Sequence, residues 1–110
     1  EVNQVFMPIF CGEDSFLIDY AQKLIYNNNS EIMILDVNGQ VNTNFVMQSA
    51  LESLVQKYPE NITLMTDKII KKEFLAKQDL MIISLESWKS LVDSRSIWLS
   101  RVPSVLILKN

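Results

Sequence analysis

The feature that most restricts this chain is an alternation. Five short apolar runs, at residues 5–10, 32–37, 62–65, 80–84 and 105–108, are separated by longer amphipathic segments. Runs of four to six residues are strand-sized, and several are continuously apolar. Continuous apolar strands belong to sheets covered on both faces, because each side chain then meets protein whichever way it points. Strands that alternate with helices give a doubly wound α/β sheet with right-handed crossovers. Four of the five methionines, Met7, Met33, Met65 and Met81, fall one to each of the first four runs. There a flexible thioether fills gaps between sheet and helix.

The intervening segments carry helical spacing. Residues 16–26 place Leu17, Ala21, Leu24 and Ile25 on one stripe, and Asn27, Asn28, Asn29 and Ser30 end it with turn formers. Residues 43–58 place Met47, Leu51, Leu54, Val55 and Tyr58 on a second stripe. Asn42 or Thr43 is expected to cap its start, and Pro59 marks its end. Residues 68–77 supply a shorter helix. From Ser87 onward, Trp88, Leu91, Val92, Arg95, Trp98 and Leu99 recur at helical spacing before Pro103. Both tryptophans are expected to pack on the sheet, with the Arg95 stem covering them; in an irregular helix one would instead anchor an interface.

Composition removes several function classes. The 110 residues make one domain, which at this size buries roughly 65% of the unfolded chain's surface and needs no cross-links. A hydrophobic fraction of 48% excludes disorder. The single cysteine, Cys11, forbids an internal disulfide and fits a reducing compartment. Histidine is absent, which removes Ser-His-Asp and Cys-His catalysis and leaves a zinc or iron site unexpected. A net charge of −3 gives no reason to expect nucleic acid. The charge is uneven: residues 1–60 carry eight acids and two bases, residues 61–110 five acids and eight bases. Such asymmetry either orients a partner or reflects solvated helix faces. No stretch approaches the ~20 apolar residues of a membrane span, and no signal-peptide pattern is present. The chain opens on Glu1 with a strand pattern and closes just after its last apolar run. It is therefore expected to be a domain cut from a longer polypeptide, although trimming of the ends gives the same appearance.

The order of these pieces resembles a known family. Met7-Pro8-Ile9-Phe10, followed by the turn Cys11-Gly12-Glu13-Asp14-Ser15 and a helix, is similar to the opening strand and acidic turn of universal stress proteins. Ile32-Met33-Ile34-Leu35-Asp36-Val37 looks like that family's second strand, and Asp79-Leu80-Met81-Ile82-Ile83-Ser84 like its fourth. Pro103-Ser104-Val105-Leu106-Ile107-Leu108-Lys109 looks like its last. Within the family, the Met-Pro-Ile-Phe opening, the Gly-acid-acid turn and the stretch from Trp98 to Val105 most resemble one branch. These are the cytoplasmic domains that follow the membrane part of bacterial monovalent cation/proton antiporters. The resemblance implies a five-stranded, mainly parallel sheet in the order 3-2-1-4-5 with helices on both faces.

In that order the sheet reverses between strands one and four, and ligands of open α/β sheets sit at the reversal, beyond the carboxyl ends of the strands. The implied crevice is lined by Phe10 to Ser15, with Cys11, Gly12, Glu13 and Asp14 as candidates, and by Ser84 to Trp88, with Ser84 and Glu86; Asp36 lies near the end of strand two. Nucleotide-binding members carry a glycine-rich phosphate loop after strand four. Here the same stretch reads Ser84-Leu85-Glu86-Ser87-Trp88, and no glycine occurs after Gly39. Side chains then hold the backbone away from a phosphate, and Glu13, Asp14 and Glu86 repel one. No nucleotide and no cofactor is expected.

Asp14 and Asp36 are left as acceptors for a base or sugar hydroxyl, or, in the plainer reading, as a helix cap and a strand end. Glu13, Asp14 and Glu86 form a cation site only if their oxygens converge. Cys11 is a redox thiol only if positive groups surround it, and its charged neighbours in sequence are acids. A buried, inert thiol is the expectation.

The resemblance places the last strand at a sheet edge, where Val105, Leu106, Ile107 and Leu108 are guarded by Lys109 alone. An apolar edge invites symmetric pairing, so a homodimer through this strand is expected. The expected function is a non-catalytic regulatory or interaction domain on the cytoplasmic face of the inner membrane, attached to the membrane domain of an antiporter in the same polypeptide. The rivals are a free-standing universal stress protein that binds a nucleotide, and an enzyme of the nucleotidyl-transfer type, for which the phosphate motif is missing.

Overall fold

Each apolar run becomes a strand. A computed structural model describes residues 3–39, 43–65, 70–94 and 104–110. In chain order these hold β1 (Gln4–Ile9), a 3-10 turn (Gly12–Ser15), α1 (Phe16–Asn28), β2 (Glu31–Asp36), α2 (Phe45–Lys57) and β3 (Ile62–Met65). Then follow α3 (Lys72–Ala76), β4 (Leu80–Ser84), α4 (Leu85–Asp93) and β5 (Val105–Leu108). The five strands form one sheet in the order β3-β2-β1-β4-β5, and every pairing is parallel. The doubly wound α/β fold with order 3-2-1-4-5 is thus present. No helix among the described residues is long and apolar enough to cross a membrane.

The two faces of the sheet hold separate cores. On one face, Val5, Met7 and Ile9 of β1 and Ile32 and Ile34 of β2 pack against Leu17, Ala21 and Ile25 of α1 and Met47, Leu51 and Leu54 of α2. On the other, Phe6, Leu35, Met81 and Ile83 pack against Leu75 of α3 and Leu91 of α4. Phe6 meets Phe74 edge to face, with ring centroids 5.3 Å apart. Trp88 is half-buried against this second core, as its stripe predicts. Arg95, Trp98 and the rest of 95–103 lie outside the described residues. Burying β1, β2 and β4 from both sides explains why their sequences run apolar without alternation.

Element ends differ from the sequence reading in instructive ways. α1 runs to Asn28, because Asn29 takes the left-handed conformation (φ 54°) and donates its N–H to the Ile25 carbonyl. The cap of α2 is Asn44, whose Oδ1 accepts from Met47 N–H at 2.9 Å. Asn42 falls outside the described residues, and Thr43 precedes that cap. α4 starts at Leu85, two residues before the expected Ser87, because Ser84 ends β4 and caps the helix at once. No loop separates strand from helix there.

Candidate functional site

The crevice at the strand reversal opens because of a proline. The Asn3 and Ile9 carbonyls accept from Glu31 and Val37 N–H on the β2 side, at 2.8 and 2.9 Å, whereas the Gln4 carbonyl accepts from Asp79 N–H at 2.8 Å on the β4 side. Odd-numbered residues of β1 therefore pair with β2 and even-numbered ones with β4. Pro8 is even-numbered, so its missing N–H falls on the β4 side. Pairing of β1 with β2 continues to Ile9 and Asp36, but pairing with β4 stops at Phe6 and Met81. The sheet is unzipped between β1 and β4 at its carboxyl end, which is how a central strand tolerates proline.

The gap is then closed by the protein itself. Asp14 is 2% exposed, and its Oδ2 accepts from Phe10 N–H at 2.8 Å and from Cys11 N–H at 3.3 Å. These are the two backbone donors that follow β1. The same oxygen accepts from the Ser87 hydroxyl of α4 at 3.3 Å, a partner 73 residues away. Ser87 in turn accepts from the Ser84 hydroxyl at 3.0 Å, and its N–H donates to Ser84 Oγ at 3.2 Å. Ser84 and Ser87 are each 4% exposed. A carboxylate buried this deeply is sustained by donors that compensate its lost hydration. The Asp14–Ser87–Ser84 chain pins the turn after β1 to the junction of β4 and α4.

What remains is a cleft of about 110 Å³ whose walls include Cys11, Glu13, Asp14, Ser84, Glu86 and Lys109. Small-molecule sites typically enclose ~300–1,000 Å³, so this cleft is below their usual size. Burial, and then the Asp14 charge, push the Cys11 thiol up from its ordinary value. A thiol held protonated is a poor nucleophile. Cys11 is half-buried, so the expectation of full burial is corrected, while its raised thiol fits an inert role.

The structure brings Cys11, Glu13, Asp14, Ser84 and Glu86 to one cleft, as the strand order implies. Gly12 and Asp36 do not line it. A Cβ at Gly12 would overlap the Asn44 side chain, so glycine here admits the cap of α2. Asp36 ends β2 opposite Ile9, on the far side of β1 from β4. No three acidic, cysteine or histidine side chains converge as metal ligands among the described residues. Glu13 and Glu86 are exposed, while Asp14 turns inward to backbone donors, so the acidic cation site does not form. Ser87 lies in the stretch that the strand order placed at the crevice, but its bond to Asp14 was not foreseen, and neither were Lys109 on the cleft and Asn44 against Gly12. For Lys109 a signal existed: pairing the last strand with β4 sets Leu108 beside Ser84 and brings Lys109 to the same end. Comparison with family models, with curated proteins and with solved structures found no match to this chain.

Proposed function

We propose that this chain is a non-catalytic regulatory or interaction domain on the cytoplasmic side of a bacterial monovalent cation/proton antiporter. The antiporter rests on the resemblance of the Met-Pro-Ile-Phe strand, the Gly-acid-acid turn and the final strand. The non-catalytic, nucleotide-free character rests on one observation: Asp14 occupies the reversal point and consumes the donors of Phe10, Cys11 and Ser87. In such a module the working surfaces are its outside faces. β5 lies at a sheet edge with Ile107 exposed, and pairing of two β5 edges about a two-fold axis makes a homodimer.

The test is cation-driven collapse of the proton gradient in everted vesicles from cells expressing the complete gene, with and without residues 1–110. Exchange that persists but loses its dependence on pH or ion concentration supports the proposal. A gene without a membrane region, or unchanged regulation, refutes it. Light scattering at high micromolar concentration tests the dimer, for which a monomeric mass is the contrary result. Micromolar binding of ATP or AMP would favour a free-standing nucleotide-binding stress protein instead.

A further inference from the structure

Residues 1–60 contain only two cationic side chains, Lys23 and Lys57, against eight acids. Packing of α1 against α2 brings these two, 34 positions apart, to the same groove of about 500 Å³. The other walls are rich in donors: the amides of Gln22 and Asn27 and the phenols of Tyr26 and Tyr58. Asp19 is the single acid on the groove, yet neither lysine lies within ion-pair distance of it; among the described residues the pair Lys89–Glu86, at 3.9 Å, is the one ion pair. Lys57 sits 5.6 Å from the centroid of the Tyr58 ring, a contact that orients its ammonium. Tyr26 is 81% exposed, so packing does not require a tyrosine there.

We propose that this groove is a docking site for an acidic segment of a partner protein, whose carboxylates enter between Lys23 and Lys57 while an apolar neighbour lies on Tyr26. Exposed tyrosines are enriched at protein interfaces and among the residues that carry their binding energy. A protein segment fits better than a membrane. An anionic bilayer approaches as a plane and does not enter the groove, whereas a single side chain entering it feels the two ammoniums inside a Debye length of ~8–10 Å. The carbonyl ends of α1 and α2 oppose an anion, and Lys57, in the last turn of α2, offsets one of them. This site is independent of the antiporter reading and stands if that reading fails.

The test titrates an acidic peptide with one apolar residue, of sequence EEELEE, into the isotope-labelled chain and follows amide shifts. Saturable shifts at Lys23, Tyr26 and Lys57 are expected, with affinity falling at least tenfold in K23E, at least threefold in Y26A, and steeply between 50 and 500 mM salt. All three side chains project from helix surfaces, and unchanged melting temperatures will show that the variants fold. Absence of saturable shifts overturns the proposal, as do shifts centred on Lys71 and Lys72 or equal binding by K23E. Inorganic phosphate or phosphatidylglycerol vesicles binding this groove as tightly as the peptide would also overturn it, in favour of a small anion or a lipid surface.

Discussion

Replacing Asp14 with alanine removes the acceptor for three donors at once. The bond from Phe10 N–H is short at 2.8 Å, and those from Cys11 N–H and the Ser87 hydroxyl are long at 3.3 Å. A hydrogen bond to a charged group contributes about 1.5–3 kcal/mol, and a long one about half as much. Water entering the small cleft re-solvates part of what is stranded, so the net loss is about 3 kcal/mol. At about 4–8 °C per kcal/mol for a domain near this size, the melting temperature falls by roughly 12–24 °C. D14N retains an acceptor oxygen but not the charge and loses about half as much. Urea titration followed by tryptophan fluorescence and circular dichroism measures these values, with the m-value unchanged. A cycle with S87A isolates the bond across the crevice, expected at about 1 kcal/mol. If D14A lies within 0.5 kcal/mol of the parent, Asp14 does not hold the crevice shut.

Three further outcomes follow from the same geometry. G12A, whose Cβ overlaps Asn44, loses about 1–3 kcal/mol in urea titration, and N44A made in that background costs little more because the cap is already displaced. Asp79 accepts from Gln4 and Asn3 N–H at 2.8 and 3.0 Å, and these two bonds hold its carboxyl below the ordinary range. Its contribution is therefore complete above the unfolded carboxyl value and lost as pH falls through the lower folded one, so D79N flattens the acid limb of a stability-versus-pH curve. An unchanged acid limb contradicts this. Cys11 reacts with a disulfide reagent at neutral pH more slowly than free cysteine, and D14N speeds it by removing the neighbouring charge; a rate above that of free cysteine contradicts the inert reading.

Strands and helix faces were legible because each is written locally. Residues 62–65, 80–84 and 105–108 match β3, β4 and β5 residue for residue. β1 and β2 begin one residue early, at Gln4 and Glu31, because a ladder hydrogen bond needs backbone and not an apolar side chain. The strand order came through resemblance, since periodicity does not tell which strands are neighbours. What stayed hidden joins distant positions. Gly12 reads as a turn glycine, but its constraint is the cap of a helix more than thirty residues on. Asp14 reads as a cap or a ligand contact; its hydroxyl partner, Ser87, becomes visible only once β1 and β4 lie side by side. Pro8 looks out of place in a central strand until its backbone is seen to face the side where pairing ends. The convergence of Lys23 and Lys57 is of the same kind.

The reversal point carries its own carboxylate, which takes the backbone donors a phosphate would need. Titration of ATP and AMP to millimolar concentration into the isotope-labelled chain tests this most directly. The amides of Phe10, Cys11, Glu86 and Ser87 should stay where they are. Saturable movement of those four signals at micromolar nucleotide would contradict the account.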